Sequence, residues 1–195
     1  MENDDQLYIN RCLEGDREAF RELVIRYQSR VLSIIGRMVR DREMARDLAQ
    51  EVFVKAYTKL SSYDSRFAFK VWILRIATYH TIDYLRRRRP EFPVAQDLDG
   101  GCPSVIDRAH SRVPSPEEAL LQSEQADLVA EAVRKLDPKL RAVVILRHFE
   151  ELNYDEIADA LDIPMGTVKN RLFRAREKLQ KLMTQNSMNL QEVVS

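Results

Sequence analysis

The last predicted helix of the chain has a basic, polar flank opposite an apolar one. Between Pro164 and Met183 there are six basic residues and one acidic residue. Apolar residues recur at helical spacing, at Val168, Leu172, Ala175, Leu179 and Leu182. Arginine suits guanine edges, asparagine suits adenine, and lysine or threonine suits phosphate or mixed contacts. The flank that we predict to contact duplex DNA consists of Thr167, Lys169, Asn170, Arg171, Arg174 and Arg176.

The elements before this helix are arranged to present it. Asn153 and Glu156 have the spacing of a capping box that opens a short helix, and Asp162-Ile163-Pro164 predicts a tight turn after it. A short helix, a three-residue turn and a basic second helix form the pattern of a helix-turn-helix, which lays its second helix in the major groove. A merely solvated basic face is the alternative, and the shortage of acidic residues disfavours it.

A second group of residues mixes aromatic and basic side chains. Trp72, Tyr79 and Tyr84 stand among Lys70, Arg75 and the run 86–89. Such a mixture suits single-stranded nucleic acid, because bases stack on rings while cations follow phosphates. Two other interpretations stay open: Phe69 and Trp72 can be core residues, and the arginine run can be a solvated helix end stabilised by the helix dipole.

A third group is acidic and polar. Asp47, Gln50 and Glu51 lie on one flank of a predicted helix, beside Leu48 and Val52. Such a flank can dock another protein, although spacing alone favours an ordinary solvated face.

Helical periodicity organises these groups into an all-α chain of two small domains joined by a flexible linker. Four predicted helices share one core in residues 1–90, and Asp16 and Asp41 are the predicted caps of the second and third. The predicted core stripe of the second helix is Phe20, Leu23, Val24, Tyr27, Val31, Ile34, Ile35 and Met38, and that of the third is Met44, Leu48, Val52, Phe53, Ala56, Tyr57 and Leu60. Residues 91–114 are rich in proline, glycine and acids and predict a linker. Ser115, Pro116 and Glu118 predict a new helix start in a second domain, 115–184, with helices opened at Asp137-Pro138 and Asn153. A polar tail, 185–195, is predicted to fray.

Composition narrows the function classes. The formal net charge is zero, but residues 1–92 carry +4, 93–133 carry −6 and 134–195 carry +2. Cys12 and Cys102 are far apart in sequence, so free thiols are expected. The acidic N-terminus has no signal-peptide pattern, and no apolar run is long enough to span a membrane, which predicts a cytoplasmic protein.

An enzyme acting on nucleic acid is one alternative. The three histidines, His80, His110 and His148, have no metal-ligand spacing with the cysteines, and there is no phosphate-binding glycine loop. We therefore expect no catalytic residue, metal, cofactor or small-molecule substrate.

The motifs together resemble the extracytoplasmic-function (ECF) group of bacterial RNA polymerase sigma factors over nearly the whole chain. Residues 47–57 (DLAQEVFVKAY) look like the family's polymerase-docking helix and 69–77 (FKVWILRIA) like its promoter-melting segment. Residues 81–87 (TIDYLRR) look like its minus-10 helix and 164–176 (PMGTVKNRLFRAR) like its minus-35 reader. Four such motifs in this order, separated by an acidic linker, form a specific pattern.

The resemblance implies an alternative sigma factor that binds core RNA polymerase and directs promoter-specific initiation, in a stress or envelope response. Core polymerase would be bound by Asp47, Gln50, Glu51 and Phe53. Single-stranded minus-10 DNA would be bound by Lys70, Trp72, Arg75, Tyr79, His80, Asp83, Arg86, Arg87 and Arg88. Duplex minus-35 DNA would be bound by the basic flank of the last helix. A partner that inactivates the family, an anti-sigma factor that is often membrane-anchored, is expected as well.

One position departs from the family, which often has asparagine where this chain has Tyr79. His80 and Thr81 differ from common choices too. The minus-10 base preference is therefore not carried over, and Tyr79 is a candidate to stack on a base. The remaining alternative for the whole chain is a two-domain helix-turn-helix regulator that binds DNA without acting as a polymerase subunit. Run-off transcription with purified core polymerase discriminates the two, because a sigma factor confers initiation by itself.

Overall fold

The computed structural model describes the backbone of residues 2–88 and 128–194 and the side chains of 4–88 and 128–184. Every regular element in these ranges is helical, which confirms the all-α prediction. The described elements are α1 (Glu2–Leu13), α2 (Arg17–Met38), α3 (Arg42–Lys59), a 3-10 turn (Leu60–Ser62), α4 (Phe69–Arg88), α5 (128–134), α6 (Pro138–His148), α7 (Tyr154–Leu161) and α8 (Met165–Val194). The predicted linker, 91–114, and the predicted helix start at Ser115 lie outside the described residues.

Short polar side chains begin the helices where the sequence predicted. The Asp16 carboxylate accepts from the backbone of Glu18 and Ala19, and the Asp41 carboxylate accepts from the first turn of α3 in the same way. Each cap satisfies backbone N–H groups that the first helical turn leaves without a partner. Gly15, with φ +104°, makes the reversal between α1 and α2 in a conformation that L side chains rarely adopt.

Helices α1–α4, here the N-terminal unit, enclose a core around α2. The predicted stripe of α2 is buried from Phe20 to Met38, apart from the half-buried Val24. Asp5 of α1 is buried as well, where it accepts a 2.5 Å hydrogen bond from Arg26 and another from the Tyr27 hydroxyl. Burial against this carboxylate raises the pKa of Tyr27, so the phenol stays protonated as the donor.

One predicted core residue of α3 is not in the core. Tyr57 is 41% exposed, with its ring edge against Phe20. Leu48, Val52 and Ala56 form the buried stripe of α3. Tyr57 lies at the margin of this stripe, where the ring can pack against the core while its hydroxyl stays in water. The prediction of a buried Tyr57 is wrong for this reason.

Helices α5–α8, here the C-terminal unit, are stabilised by helix caps and by the buried Arg141. Asp137 and Pro138 open α6, and the predicted capping box of Asn153 and Glu156 opens α7. Arg141 is 6% exposed and donates to the carbonyls of Val133, Arg134 and Leu136. The guanidinium therefore supplies donors to carbonyls at the end of α5, where the helix has no further N–H groups of its own; the Val133 carbonyl also accepts from the N–H of Leu136.

Helix α8 is longer than the sequence suggested. Its backbone is helical to Val194, past the point near Thr184 where the tail was predicted to fray. The segment 185–194 has no glycine or proline to end a helix, and its leucine, methionine, glutamine and glutamate residues are good helix formers.

The two units pack against each other in one continuous apolar core. Helices α2 and α4 contact α6, and α4 also contacts α7. Buried residues of α6 and α7, such as Leu146 and Ile157, belong to the same cluster as Leu23 and Leu74 of the N-terminal unit. Arg141 crosses the boundary too, donating a 2.5 Å hydrogen bond to the carbonyl of Met38 at the end of α2. The sequence left this arrangement open.

Candidate nucleic-acid interface

The recognition helix α8 follows a turn whose backbone is left-handed at one residue. Asp162 ends α7 with φ 47° and ψ 50°, and α8 begins three residues later at Met165. Aspartate tolerates this conformation better than most side chains. The turn holds α8 so that Val168, Leu172 and Ala175 are buried, as predicted. Lys169 is exposed on the opposite flank, and four other predicted DNA-contacting residues are half-buried at its edges, namely Thr167, Asn170, Arg174 and Arg176.

Arg171 is the exception on this helix. It is 7% exposed, whereas the sequence analysis placed it on the solvent flank. It lies three residues after Val168 and four before Ala175, so helical spacing puts it on the buried stripe rather than beside it. Its charge is close enough to Tyr79 of α4 to act on the pKa of that phenol. In this arrangement Arg171 is not presented to a base edge, and the prediction that it reads a guanine requires the side chain to become exposed.

The aromatic–basic segment forms α4, and its predicted DNA residues divide between two environments. Asp83, Arg86, Arg87 and Arg88 are exposed. Trp72, Arg75 and Tyr79 recur at helical spacing on the side that faces α7, and a cleft of about 340 Å³ separates Trp72 and Arg75 from Ile163 and Pro164. Phe69 is buried and packs edge-on against Tyr27 and Tyr63, which bears out the core interpretation of that ring.

Three α4 side chains bind backbone or carboxylate groups of the C-terminal unit. Lys70 donates a 3.0 Å hydrogen bond to the carbonyl of Glu150. Arg75 donates to the Asp162 carboxylate at 2.9 Å, and the Tyr79 hydroxyl donates to the carbonyl of Leu161. The predicted minus-10 face is therefore covered in part by α7 and its turn.

His80, another predicted minus-10 residue, points to α3. Its Nε2 lies 2.8 Å from a Glu51 carboxylate oxygen, and Lys55 Nζ lies 2.6 Å from its Nδ1. Burial and the Lys55 charge lower the pKa of His80, which favours a neutral ring that accepts from Lys55 at Nδ1 and carries its proton on Nε2, beside Glu51. His80 thus connects the predicted DNA helix to the predicted docking helix.

The predicted docking side chains of α3 are accessible. Asp47, Gln50 and Glu51 are exposed, and Phe53 is half-buried against the core. Val54, at 63% exposure, and Tyr57 extend this face with apolar surface that the sequence analysis did not single out. For Val54 the available signal was its position in the sequence, off the predicted apolar stripe of α3. Among the described elements, α3 makes no contact with α6, α7 or α8.

Glu150 is a buried charge at the boundary between the units. It is 4% exposed, 3.5 Å from Arg30 of α2, and Arg37 and Lys70 also face it. Burial raises the pKa of Glu150 more than these cations lower it. The contact between the units is also supported by Arg37, which lies over the ring of Phe149 at 4.2 Å. Sequence reasoning missed Arg30, Arg37 and Glu150 because their pairing is long-range.

The raised pKa of Glu150 predicts a pH dependence of the contact between the units. A carboxyl whose pKa is higher in the packed state contributes stability that is present at acid pH and is lost as pH rises through that raised value. Packing should therefore strengthen as pH falls from neutral towards the ordinary glutamate range. Glu150→Gln should pack more firmly at neutral pH and lose this part of the dependence. The difference between the urea midpoints of wild type and variant, followed against pH, measures it; a pH-independent difference contradicts it.

Two further observations limit the kinds of site. No group of three or more histidine, cysteine, aspartate or glutamate side chains in 4–88 and 128–184 is arranged to hold a metal ion. No helix in the part of the chain that the structure describes combines the length and apolar character needed to cross a membrane.

Comparison with known proteins matches each of the two units to a protein family. Residues 23–91 match the family Sigma-70 region 2, and residues 126–179 match the family Sigma-70, region 4. The RNA polymerase sigma-H factor of Pseudomonas aeruginosa is 38% identical, covering 92% of this chain and 93% of its own. The ECF RNA polymerase sigma-E factor of Escherichia coli is 36% identical (90% and 92%), and the ECF factor SigW of Bacillus subtilis is 33% identical (89% and 93%).

Solved structures share the fold. CnrH, solved with the cytosolic domain of CnrY, aligns with a TM-score of 0.64 at 23% identity, over 93% of this chain and 97% of its own. The sigma factor RpoE of Bartonella quintana, solved with the anti-sigma factor NepR, aligns with a TM-score of 0.59 at 21% identity, over 85% and 96%.

The helices and both family matches define the class: a sigma-70-type initiation factor with regions 2 and 4. The chain belongs to the ECF group of RNA polymerase sigma factors, the alternative sigma subunits that bind core polymerase and direct promoter-specific initiation. Sigma factors are not a class of enzymes. Because the chain belongs to this family, the alternative of a DNA-binding regulator that does not act as a polymerase subunit is rejected.

Proposed function

We propose that this sigma factor docks on core polymerase through the exposed flank of α3, with Asp47, Gln50 and Glu51 as polar anchors and Phe53 shaping the apolar edge. The observation that carries the proposal is accessibility. This flank stays open while α4 and α7 are packed together, so polymerase can bind before the units move. Exposed Val54 and Tyr57 add the apolar area that a stable interface needs at its centre.

We further propose that α4 holds the single-stranded minus-10 element. Trp72 and Tyr79 supply rings for stacking, while Lys70 and Arg75 supply cations for phosphates. The exposed end of the helix, Arg86 to Arg88, extends the positive charge along the strand, and Asp83 lies beside it. His80 has a positioning role in this proposal, because its ring is held between Glu51 and Lys55.

We propose that α8 holds the minus-35 element as duplex through Thr167, Lys169, Asn170, Arg174 and Arg176. The open position of Lys169 and the buried stripe opposite it support this orientation. Arg171, which is buried in the free chain, would join the contact only after it becomes exposed. The proposed domains are 1–90 and 115–184, with 91–114 as linker and 185–195 as tail, and the two family matches fall almost entirely inside the domains.

We also propose regulation by an anti-sigma factor, often membrane-anchored in this family, in a stress or envelope response. Support comes from the Bartonella quintana sigma factor of the same fold, which was solved with an anti-sigma factor. The chain would act in the cytoplasm, where polymerase transcribes, and it would perform no catalytic step itself.

Run-off transcription tests the proposal. Purified core polymerase is given the chain and a library of promoters randomised over the two elements, and the transcripts are sequenced. The expected result is specific initiation that requires the chain, with one preferred duplex element and one preferred melted element. Initiation that needs a second sigma factor contradicts the proposal.

Two α8 variants should separate base reading from phosphate contact on the selected promoters. Arg174→Ala should cost about 1–3 kcal/mol and relax the preference at one position of the minus-35 element, as expected for a lost bidentate contact to a base. Lys169→Ala should weaken all sites alike and reduce the salt slope of binding by about one unit. Lys178→Ala, an exposed cation further along α8, is the matched control. Equal effects of Arg174→Ala on every sequence would exclude base reading by that side chain.

A further inference from the structure

Two side chains of α4 bind one turn of the C-terminal unit. Arg75 pairs with the Asp162 carboxylate at 2.9 Å, and the Tyr79 hydroxyl donates to the carbonyl of the preceding residue, Leu161. These two interactions are called the turn contact here. Both donors belong to the face of α4 that we assign to single-stranded promoter DNA, so the inference below rests on the proposed function.

The turn offers acceptors because of its backbone. The last carbonyls of a helix have no intrahelical donor. Asp162, with its left-handed backbone, ends α7, and its N–H donates to the carbonyls of Ala158 and Asp159. The N–H of Ile163 also donates to the carbonyl of Ala158. The carbonyl of Leu161 is then available to Tyr79, which satisfies it from the other unit. Burial at this boundary raises the pKa of Tyr79, so the hydroxyl keeps the proton that it donates.

The turn offers α4 the same kinds of group as a nucleotide does: an anion and an apolar surface. An aspartate carboxylate offers the guanidinium of Arg75 the same paired oxygens as a phosphate. Ile163 and Pro164 add an apolar surface on the far side of the cleft from Trp72, where a stacked base would lie. Promoter DNA and the turn therefore require the same groups of α4.

We propose that the turn Leu161–Pro164 is an intramolecular competitor of single-stranded promoter DNA, holding Arg75 and Tyr79 in the free chain and releasing them when polymerase separates the units. Arg171 of the proposed minus-35 helix is buried in the same state, at 7% exposure. The docking flank of α3 remains open throughout.

The turn contact is weak enough to be displaced. Arg75 and Asp162 keep 43% and 72% of their side-chain surface in water, where ion pairs contribute little and are screened by salt. Asp162→Asn is the sharpest variant, because it removes the charge on the side that makes no DNA contact in our proposal. Asparagine also tolerates the left-handed backbone. Asp159→Asn, one turn earlier on α7 and lining the same cleft, is the matched control.

The experiment uses the full chain in three measurements. Distances between spin labels at Lys59→Cys and Lys178→Cys, both exposed sites, report separation of the units on a background with Cys12 and Cys102 replaced by alanine. Anisotropy of a fluorescein-labelled single strand of about 12 nucleotides, at low salt, reports binding to the free chain. Run-off transcription with saturating core polymerase reports function in the holoenzyme.

Asp162→Asn should lengthen the label distances and raise single-strand affinity roughly two- to fivefold, the range expected for one exposed pair. Adding Tyr79→Phe, which keeps the ring and removes the hydroxyl, should separate the units further. Asp159→Asn should match wild type, and run-off by Asp162→Asn should be unchanged. The single strand should also lengthen the distances in wild type.

The inference is overturned if Asp162→Asn changes neither the spin-label distances nor the affinity for the single strand. It is also overturned if the spin-label distances of wild type stay the same when the single strand is bound. Arg75→Ala separates this failure from failure of the proposed function. If Arg75→Ala loses run-off while Asp162→Asn is silent, α4 binds DNA and the turn does not compete. If Arg75→Ala transcribes as wild type does, the role of α4 fails and the competition fails with it.

Discussion

Arg141→Met is expected to lower the free energy of unfolding by about 3–5 kcal/mol, the largest effect of any single change proposed for this chain. The guanidinium is buried and donates to the carbonyls of Val133, Arg134 and Leu136 within the C-terminal unit. Methionine has a similar length and leaves no large cavity, but the carbonyls of Arg134 and Leu136 then lose the guanidinium as donor, while the Val133 carbonyl keeps the N–H of Leu136. A buried acceptor without a donor costs about 1–3 kcal/mol.

Urea denaturation followed by circular dichroism measures this effect. Lys135→Met, which replaces an exposed cation six residues earlier, should change the unfolding free energy by no more than about 0.5 kcal/mol. Because Arg141 also donates to Met38 of α2, the variant should loosen the packing between the units as well as α5 and α6. An Arg141→Met protein as stable as Lys135→Met would mean that water replaces the guanidinium at these carbonyls.

Asp47→Ala is expected to weaken binding to core polymerase by about 2 kcal/mol, or roughly thirtyfold, if this carboxylate is a central anchor of the docking flank. The side chain is exposed and has no structural partner among the contacts described, so its removal should leave the fold intact. Glu51 is a less clean target, because it also lies against His80.

Competition of labelled and unlabelled sigma factor for core polymerase measures the affinity. Run-off should fall at limiting concentrations of the variant and recover at saturating ones, since a docking defect acts before promoter binding. Glu22→Ala, an exposed acid on α2, is the control and should bind as wild type does. If Asp47→Ala binds core polymerase normally, the polar anchors of the docking flank lie elsewhere on α3.

Local features of the fold were predictable because their causes are local. A helix is predicted to begin where a short side chain with an acceptor oxygen precedes a periodic apolar run. Asp16, Asp41 and Asn153 are three such residues, and all three cap a helix in the structure. The helix-turn-helix was recognisable for the same reason, since the turn and the charge pattern of α8 involve neighbours in sequence. The buried stripe of α2 was predictable from the helical spacing of its apolar residues alone.

Errors arose where burial depends on distant parts of the chain. Its charge predicts a solvent-facing position for Arg171, yet the side chain is buried on the stripe of α8. Tyr57 was placed in the core because it is aromatic, yet it lies at the margin of α3. Helix α4 contacts α1, α2, α3, α6 and α7, so apolar residues are required on several of its sides rather than on one stripe.

The sequence by itself determined the helices, their caps, the recognition helix and the resemblance to ECF sigma factors, because each depends on the order of residues within a few helical turns. Only the tertiary structure decided which of the DNA-binding side chains face water. The pairs Arg75–Asp162, Tyr79–Leu161 and Arg30–Glu150 join residues more than 80 positions apart. Neither periodicity nor charge pattern carries information at that separation, since contacts between packed units depend on shape complementarity across their whole faces.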